Sequence, residues 1–282
     1  MIIWIASYPK SGNTWLRAIL SSYYYSSDGN FDFSLLKNIE SFPQKKFFME
    51  YAKEFKSPVG TTYHWIKAQK KINQNGKLNF LKTHNSFCNI NGNNFTDGTN
   101  TLGCIYVIRD PRNILTSLKN HYELNYKEAL DFMLNEKKFI CDNNVKDDFS
   151  DIQFLGSWSK HYDSWLNSKI FPVKLVKYED LLKNTLKTFE EIVEFISKIK
   201  KNDVVFDKKK AQGSVLSTNF NNLKSKELNG EFTESIYSKK HKKKIVFFNL
   251  GPDNNWKKIV PKEYYDKINS KLKNDLKIMN YK

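Results

Sequence analysis

The chain has 282 residues, which allows one large α/β domain or two smaller ones, with a sizeable core either way. Hydrophobic residues make up 40% and aromatics 15%, which excludes a chain too polar to fold. The net charge of +16 is carried by lysine apart from Arg17, Arg109 and Arg112, so it favours acidic ligands over cationic ones. It is weak support for nucleic-acid binding, because lysine- and asparagine-rich composition also follows from AT-rich coding. Cys88, Cys104 and Cys141 are widely spaced and form no Cys-x-x-Cys pair, which points to a reducing cytoplasm. The first apolar run is too short for a signal peptide, and no later run reaches the ~18 residues of a membrane span.

In chain order, Ile2-Ile3-Trp4-Ile5-Ala6 reads as a buried strand and Trp15, Leu16, Ile19 and Leu20 as one face of a helix. Between them stands Tyr8-Pro9-Lys10-Ser11-Gly12-Asn13-Thr14. Residues 31–77 and the Asn- and Gly-rich 85–101 read as loops around a second strand, 78–83. A third strand spans 103–108. Asp110-Pro111 then starts a helix, with aspartate as N-cap and proline at the first position. Ser150-Asp151-Ile152-Gln153 reads as a capping box, and Leu155, Trp158, Tyr162 and Trp165 share the face of the helix it would open. A fourth strand at 173–178 precedes a helix carrying Leu186, Phe189, Ile192, Val193 and Ile196 at helical spacing. Residues 207–244 are rich in Lys, Ser and Asn without a strong period, and read as a lid or basic surface. Pro261 opens a last helix to about Met279. The fold class is α/β: a P-loop-type central parallel sheet flanked by helices on both faces, as one domain over 1–282.

Two segments read as anion sites. Backbone N–H groups at a helix start converge on one point favoured by the helix dipole, and Lys10 adds a full charge there. The loop is not a Walker A motif, since its lysine precedes the only glycine and no Lys-Ser/Thr pair awaits Mg²⁺. The second site is Arg109, at the carboxyl end of its strand, with Ser117 two turns into the next helix on the side of Asp110 and Asn113. Two separated anion pockets suit a nucleotide phosphorylated at both its 3′ and 5′ positions. His84 follows the strand 78–83, with Lys82 two residues earlier on the same face. His64, His121, His161 and His241 lack this setting, and no metal-ligand spacing occurs.

From Ile2 to about Val260 the chain resembles the sulfotransferases that use 3′-phosphoadenosine 5′-phosphosulfate (PAPS). Tyr8-Pro9-Lys10-Ser11-Gly12-Asn13-Thr14-Trp15 looks like that family's 5′-phosphosulfate loop. Ile108-Arg109-Asp110-Pro111-Arg112-Asn113 through Ser117 looks like its 3′-phosphate site. Tyr178-Glu179-Asp180-Leu181 and Gly251 with Trp256 look like its strand-end and C-terminal segments. The resemblance implies sulfuryl transfer from PAPS, leaving 3′-phosphoadenosine 5′-phosphate (PAP), without a metal. It implies His84 as general base, Lys10 and Lys82 as charge stabilisers, and residues 11–15, Arg109, Ser117, Tyr178 and Gly251 as cofactor contacts. Asn249-Leu250 stands where the family often has Arg-Lys. Lys239, Lys240 and Lys242 to Lys244, just upstream, are candidates to replace those charges.

The acceptor, a small molecule or carbohydrate, is to be held by residues 31–77, 85–101 and 207–244. Nucleic acid is not expected as a partner, and a homodimer is allowed. Two other classes compete. A P-loop nucleotide kinase would need ATP and Mg²⁺, and a non-catalytic basic module would bind polyanions with steep salt dependence.

Overall fold

The computed structural model describes residues 1–141, 147–201, 205–234, 237–238 and 241–282. Its strands are β1 (Ile2–Ser7), β2 (Glu40–Ser41), β3 (Asn79–Thr83), β4 (Asn89–Ile90), β5 (Asn93–Asn94), β6 (Thr101–Ile108), β7 (Phe139–Cys141), β8 (Ile152–Phe154), β9 (Val173–Lys177), β10 (Tyr237–Ser238) and β11 (Lys243–Lys244). Five of these form one sheet in the order β2-β3-β1-β6-β9, and every neighbouring pair is parallel. All four predicted strands are there. The fifth, β2, lies at the edge beside β3, with Ser41 in register with Lys82. Two residues inside a polar stretch carry no pattern to announce it.

Strand β1 shows why the apolar runs are continuous. Ile2, Trp4 and Ala6 face one core, and Ile3 and Ile5 face the other, so both sides of the strand are buried. The second core is closed by helices α1 (Asn13–Tyr25) and α7 (Thr185–Lys200), through Leu16, Ile19, Phe189, Ile192 and Ile196. The first core is covered by α2 (Trp65–Asn73), α3 (Pro111–His121), α4 (Tyr126–Leu134), α5 (Trp158–Leu166) and the C-terminal helices. Between β9 and α7 stands the short α6 (Tyr178–Lys183).

Three expectations need correction. Ser150 does not open a helix. Its hydroxyl binds Asp148, Asp151 accepts the backbone N–H of Lys45, and residues 152–154 pair with β7. The helix begins at α5, with Ser157 as N-cap, so Leu155 precedes it. Residues 207–244 are not patternless. They hold α8 (Lys208–Ser217) and α9 (Phe220–Leu228), capped by Asp207 and Asn219, and a hairpin of β10 and β11. The last helix is broken at Leu272, giving α11 (Lys262–Lys271) and α12 (Lys273–Ile278) after a single turn, α10 (Trp256–Ile259). Residues 85–100 are loop except for the two-residue strands β4 and β5, and Thr101 already begins β6.

Candidate active site

The carboxyl ends of β1, β3 and β6 open into a cleft of about 1420 Å³. Its walls include Lys10, Gly12, Asn13, Thr14, Trp15, Lys82, His84, Arg109, Ser117, Tyr178 and Gly251. Of the catalytic and cofactor-contact residues that the resemblance implies, all but Ser11 line this cleft; Ser11 is fully buried within the loop.

The loop after β1 owes its shape to two left-handed residues, Lys10 at φ 67° and Gly12 at φ 100°. Gly12 caps α1 and makes no side-chain cap bond, so neither Ser11 nor Asn13 serves as N-cap. A Cβ on Gly12 would stand 2.5 Å from the Tyr178 ring, so only glycine lets this ring close over the loop. The first helical bond runs from Leu16 N–H to the Gly12 carbonyl, which leaves the N–H groups of residues 13–15 without intrahelical acceptors. The Asn13 amide is turned back to the Ile5 carbonyl at 2.9 Å and ties the helix start to the strand.

Arg109 is buried, and among the described residues it forms no ion pair. Its Nη1 donates to the Lys10 carbonyl at 3.2 Å and to Ser117 Oγ at 3.5 Å, and its guanidinium lies 4.1 Å from the Tyr178 ring centre. The neighbouring Arg112 takes the carboxylate instead. Asp110 pairs with it at 2.7 Å while capping α3. Glu179 braces the two strand ends, accepting from Asp110 N–H at 3.0 Å and from the Tyr281 hydroxyl at 3.2 Å.

His84 is fixed from three directions. Gln153 accepts its backbone N–H at 2.8 Å, and His161 Nε2 donates to its carbonyl at 2.9 Å. Its own Nδ1 lies 2.8 Å from the Ser7 carbonyl. A carbonyl only accepts, so Nδ1 carries the proton, and Nε2 on the opposite edge of the ring keeps its lone pair. Burial first, then Lys82, holds the imidazole well below its usual pKa, so His84 is neutral at pH 7.

Lys10 is lowered to about 7, chiefly by burial and then by Arg109 and Lys82, with Glu227 opposing. Its ammonium donates to Nδ1 of His121 at 3.4 Å and sits 3.6 Å from the Phe247 ring centre. Neither partner was expected from sequence. His121 ends α3 and faces the cleft, a placement that its helical setting in the sequence did not announce. Phe247 belongs to a strap pinned by Glu227, which accepts the N–H groups of Phe247 and Phe248 at 2.6 and 2.8 Å. A fully buried histidine behind the site, His161, is lowered to about 4 by burial and bonds the Tyr106 hydroxyl at 2.7 Å.

At the departure from the family pattern, Lys224 of α9 donates to the Asn249 carbonyl at 3.0 Å and so brings an ammonium to that segment. Lys239 and Lys240 lie outside the described residues, as does the side chain of Lys243. Gly251, at φ 53°, lies so close to Phe220 that a Cβ would stand 2.2 Å from its ring. Asn254 links this segment to Ser117 at 3.2 Å and Thr116 at 2.6 Å.

Among the described residues, Ser11 Oγ, Trp15 Nε1 and Arg109 Nε, all in or beside the cleft wall, are buried donors without a partner. Most buried polar atoms in folded proteins have a partner. Together with Lys10 and the open end of α1, this donor set fits a bound polyanion.

Fold and site define an α/β protein with an anion cleft at the carboxyl edge of a parallel sheet. The chain belongs to the sulfotransferase domain family, which it matches over residues 2–280. It is 25% identical over 200 residues to luciferin sulfotransferase from Photinus pyralis, covering 69% of this chain and 50% of that one. Over 98 residues it is 31% identical to a 3-alpha-hydroxysteroid sulfotransferase from Cavia porcellus, covering 33% and 31%. The matches thus span half or less of these relatives' own lengths. Among solved structures it is similar to mouse sulfotransferase SULT7A1 complexed with PAP, at TM-score 0.54 and 17% identity, covering 98% of this chain and 84% of that one. It is also similar to retinol dehydratase in a complex with retinol and PAP, at TM-score 0.58 and 17% identity, covering 98% and 81%. At such identities these structures support the fold. Among the described residues no helix is long and apolar enough to cross a membrane.

Proposed function

We propose that this chain moves a sulfuryl group from PAPS to an acceptor hydroxyl or amine and releases PAP. The observation that carries this reading is the sharing of one cleft by two donor clusters, Lys10 with the α1 end and Arg109 with Ser117, and a neutral histidine on the adjacent strand. When bound, PAPS supplies a sulfuryl group already activated by a phosphate leaving group. The N–H groups of residues 13–15 and Lys10 hold its 5′ end, Arg109 and Ser117 hold its 3′-phosphate, and Tyr178 and Trp15 lie against its base. The Gly251 segment closes over the 3′ side through Asn254 and Ser117.

His84 takes the acceptor proton at Nε2, since Nδ1–H is committed to Ser7. Lys10 offsets negative charge growing on the leaving oxygen, and Lys82 holds the transferring group. These cations and the helix end supply the positive field, so a metal is not required. Residues 1–282 act as one unit, in which 31–77, 85–101 and 207–244 shape the acceptor side. The expected acceptor is a small molecule or carbohydrate; the names of the relatives (luciferin, hydroxysteroid) indicate small-molecule acceptors for those proteins. The cytoplasm is the expected compartment.

The test is transfer of label from [³⁵S]PAPS to a panel of alcohols, phenols and amines in the presence of EDTA. Transfer supports the reading. Phosphate transfer from ATP with Mg²⁺, and none of sulfate, would replace it with the kinase alternative.

A further inference from the structure

We infer that the acceptor half of the cleft is a subsite for a polyhydroxylated, sugar-like acceptor, with Glu234 receiving its hydroxyls. This rests on the sulfuryl-transfer reading above.

The strand order separates the two halves. In β2-β3-β1-β6-β9, the anion sites belong to β1 and β6, on one side of the strand that carries Lys82 and His84. On its other side lies β2, whose Glu40 and Ser41 line the cleft, with Ser41 in register with Lys82. Besides Glu40, Ser41 and Lys82 the cleft wall carries the polar Gln44 and Glu234, alongside apolar side chains such as Ile140 and Phe247.

Glu234 is held firmly for a surface carboxylate. Its Oε1 accepts from Arg17 Nη1 at 2.6 Å, and its other oxygen takes no hydrogen bond among the described residues. Arg17 is only 3% exposed and is locked by two carbonyls, Nε to Ile39 at 2.6 Å and Nη2 to Leu36 at 2.8 Å. Burial raises the Glu234 carboxyl, but Lys82 and Arg17 together outweigh it, so the group is an ionised acceptor at neutral pH. Its charge is balanced by Arg17, which removes any strong demand for a cationic ligand. What remains is an oriented acceptor beside ammonium and amide donors, a matched set for several hydroxyls.

An apolar ring system would cover these groups and strip their water without replacing it. A site built to bond hydroxyls discriminates strongly against analogues that lack them. Glu234 and His84 line the same cleft, so an acceptor with several hydroxyls bonded to Glu234 would have others to offer His84.

The experiment is calorimetric titration of PAP-saturated protein with methyl glycosides of common monosaccharides and disaccharides, beside 2-naphthol and a steroid alcohol. The expected result is binding of at least one glycoside in preference to both apolar alcohols. Glu234→Gln, which can still accept from Arg17, is expected to weaken that glycoside by about tenfold or more with PAP affinity unchanged. Tighter binding of naphthol or steroid than of every glycoside overturns the inference, as does an unchanged glycoside affinity in Glu234→Gln. If PAP itself does not bind, the sulfuryl-transfer reading fails first, and this is seen before any acceptor is added.

Discussion

The donor wall and the strap above it are built in different ways. The donor wall is made of contiguous strand, loop and helix. Lys10 and Gly12 take left-handed backbone, α1 presents free N–H groups, and Arg109 stands at the end of the next strand. The strap is made of long-range polar contacts. Glu227 holds residues 247 and 248, Arg17 holds Glu234 across 217 positions, and Phe247 rests on Lys10. Local geometry fixes an anion pocket whether or not the strap is closed. The strap depends on a few partners and on a small aromatic cluster of Phe31, Phe33, Phe232 and Phe248. With few packed contacts, such a region is expected to open at lower free energy than the sheet.

This contrast can be broken at several points. The largest effects are expected at the centre. Lys10→Ala and His84→Ala should each lower turnover by about 10³-fold or more. Only Lys10→Ala should also weaken PAP, which calorimetry separates from the loss of rate. Next comes the wall itself. Arg109→Ala removes the guanidinium that bridges the Lys10 carbonyl and Ser117 and should weaken PAP by about 10–100-fold. Gly12→Ala should do the same by displacing Tyr178, with a smaller change in melting temperature.

The pH dependence of PAP affinity reads Lys10 directly. Its pKa is lowered to about 7 in the free protein, and a bound anion raises it again. Protonation is therefore complete on both sides of the equilibrium below that value, and uptake of a proton accompanies binding above it. PAP affinity should be highest below pH 7 and fall by up to tenfold per unit as pH rises through and beyond it. The fall should vanish in Lys10→Met. On the strap, Glu227→Gln loses one of two backbone acceptors and should weaken PAP by only a few-fold. An effect as large as that of Arg109→Ala would show that the strap belongs to the donor site rather than covering it.

The sequence displayed the wall and hid the strap for the same physical reason. Continuous apolar runs such as Ile2–Ser7 mark strands buried on both faces, and Asp110-Pro111 marks a helix start, because those signals act over a few residues. His121, Glu227 and Glu234 gain meaning only from partners far along the chain. Gln153 is instructive. Its place in Ser150-Asp151-Ile152-Gln153 has the pattern of a capping box, yet its side chain holds the backbone of His84 while Ser150 is drawn to Asp148. Tertiary partners overrode a good local signal. The helices α8 and α9 escaped notice because their polar, lysine-rich faces lack an apolar stripe; their caps, Asp207 and Asn219, were the available clue.

The account turns on two separate anion pockets in one cleft. The most direct test is calorimetric titration of the protein with PAP beside AMP and ATP–Mg²⁺. It predicts tight binding of PAP that is lost by about tenfold or more when the 3′-phosphate is absent, as in AMP. Equal affinity for PAP and AMP would contradict it, and would mean that Arg109, Ser117 and the Asn249-Leu250 segment do not form a phosphate site.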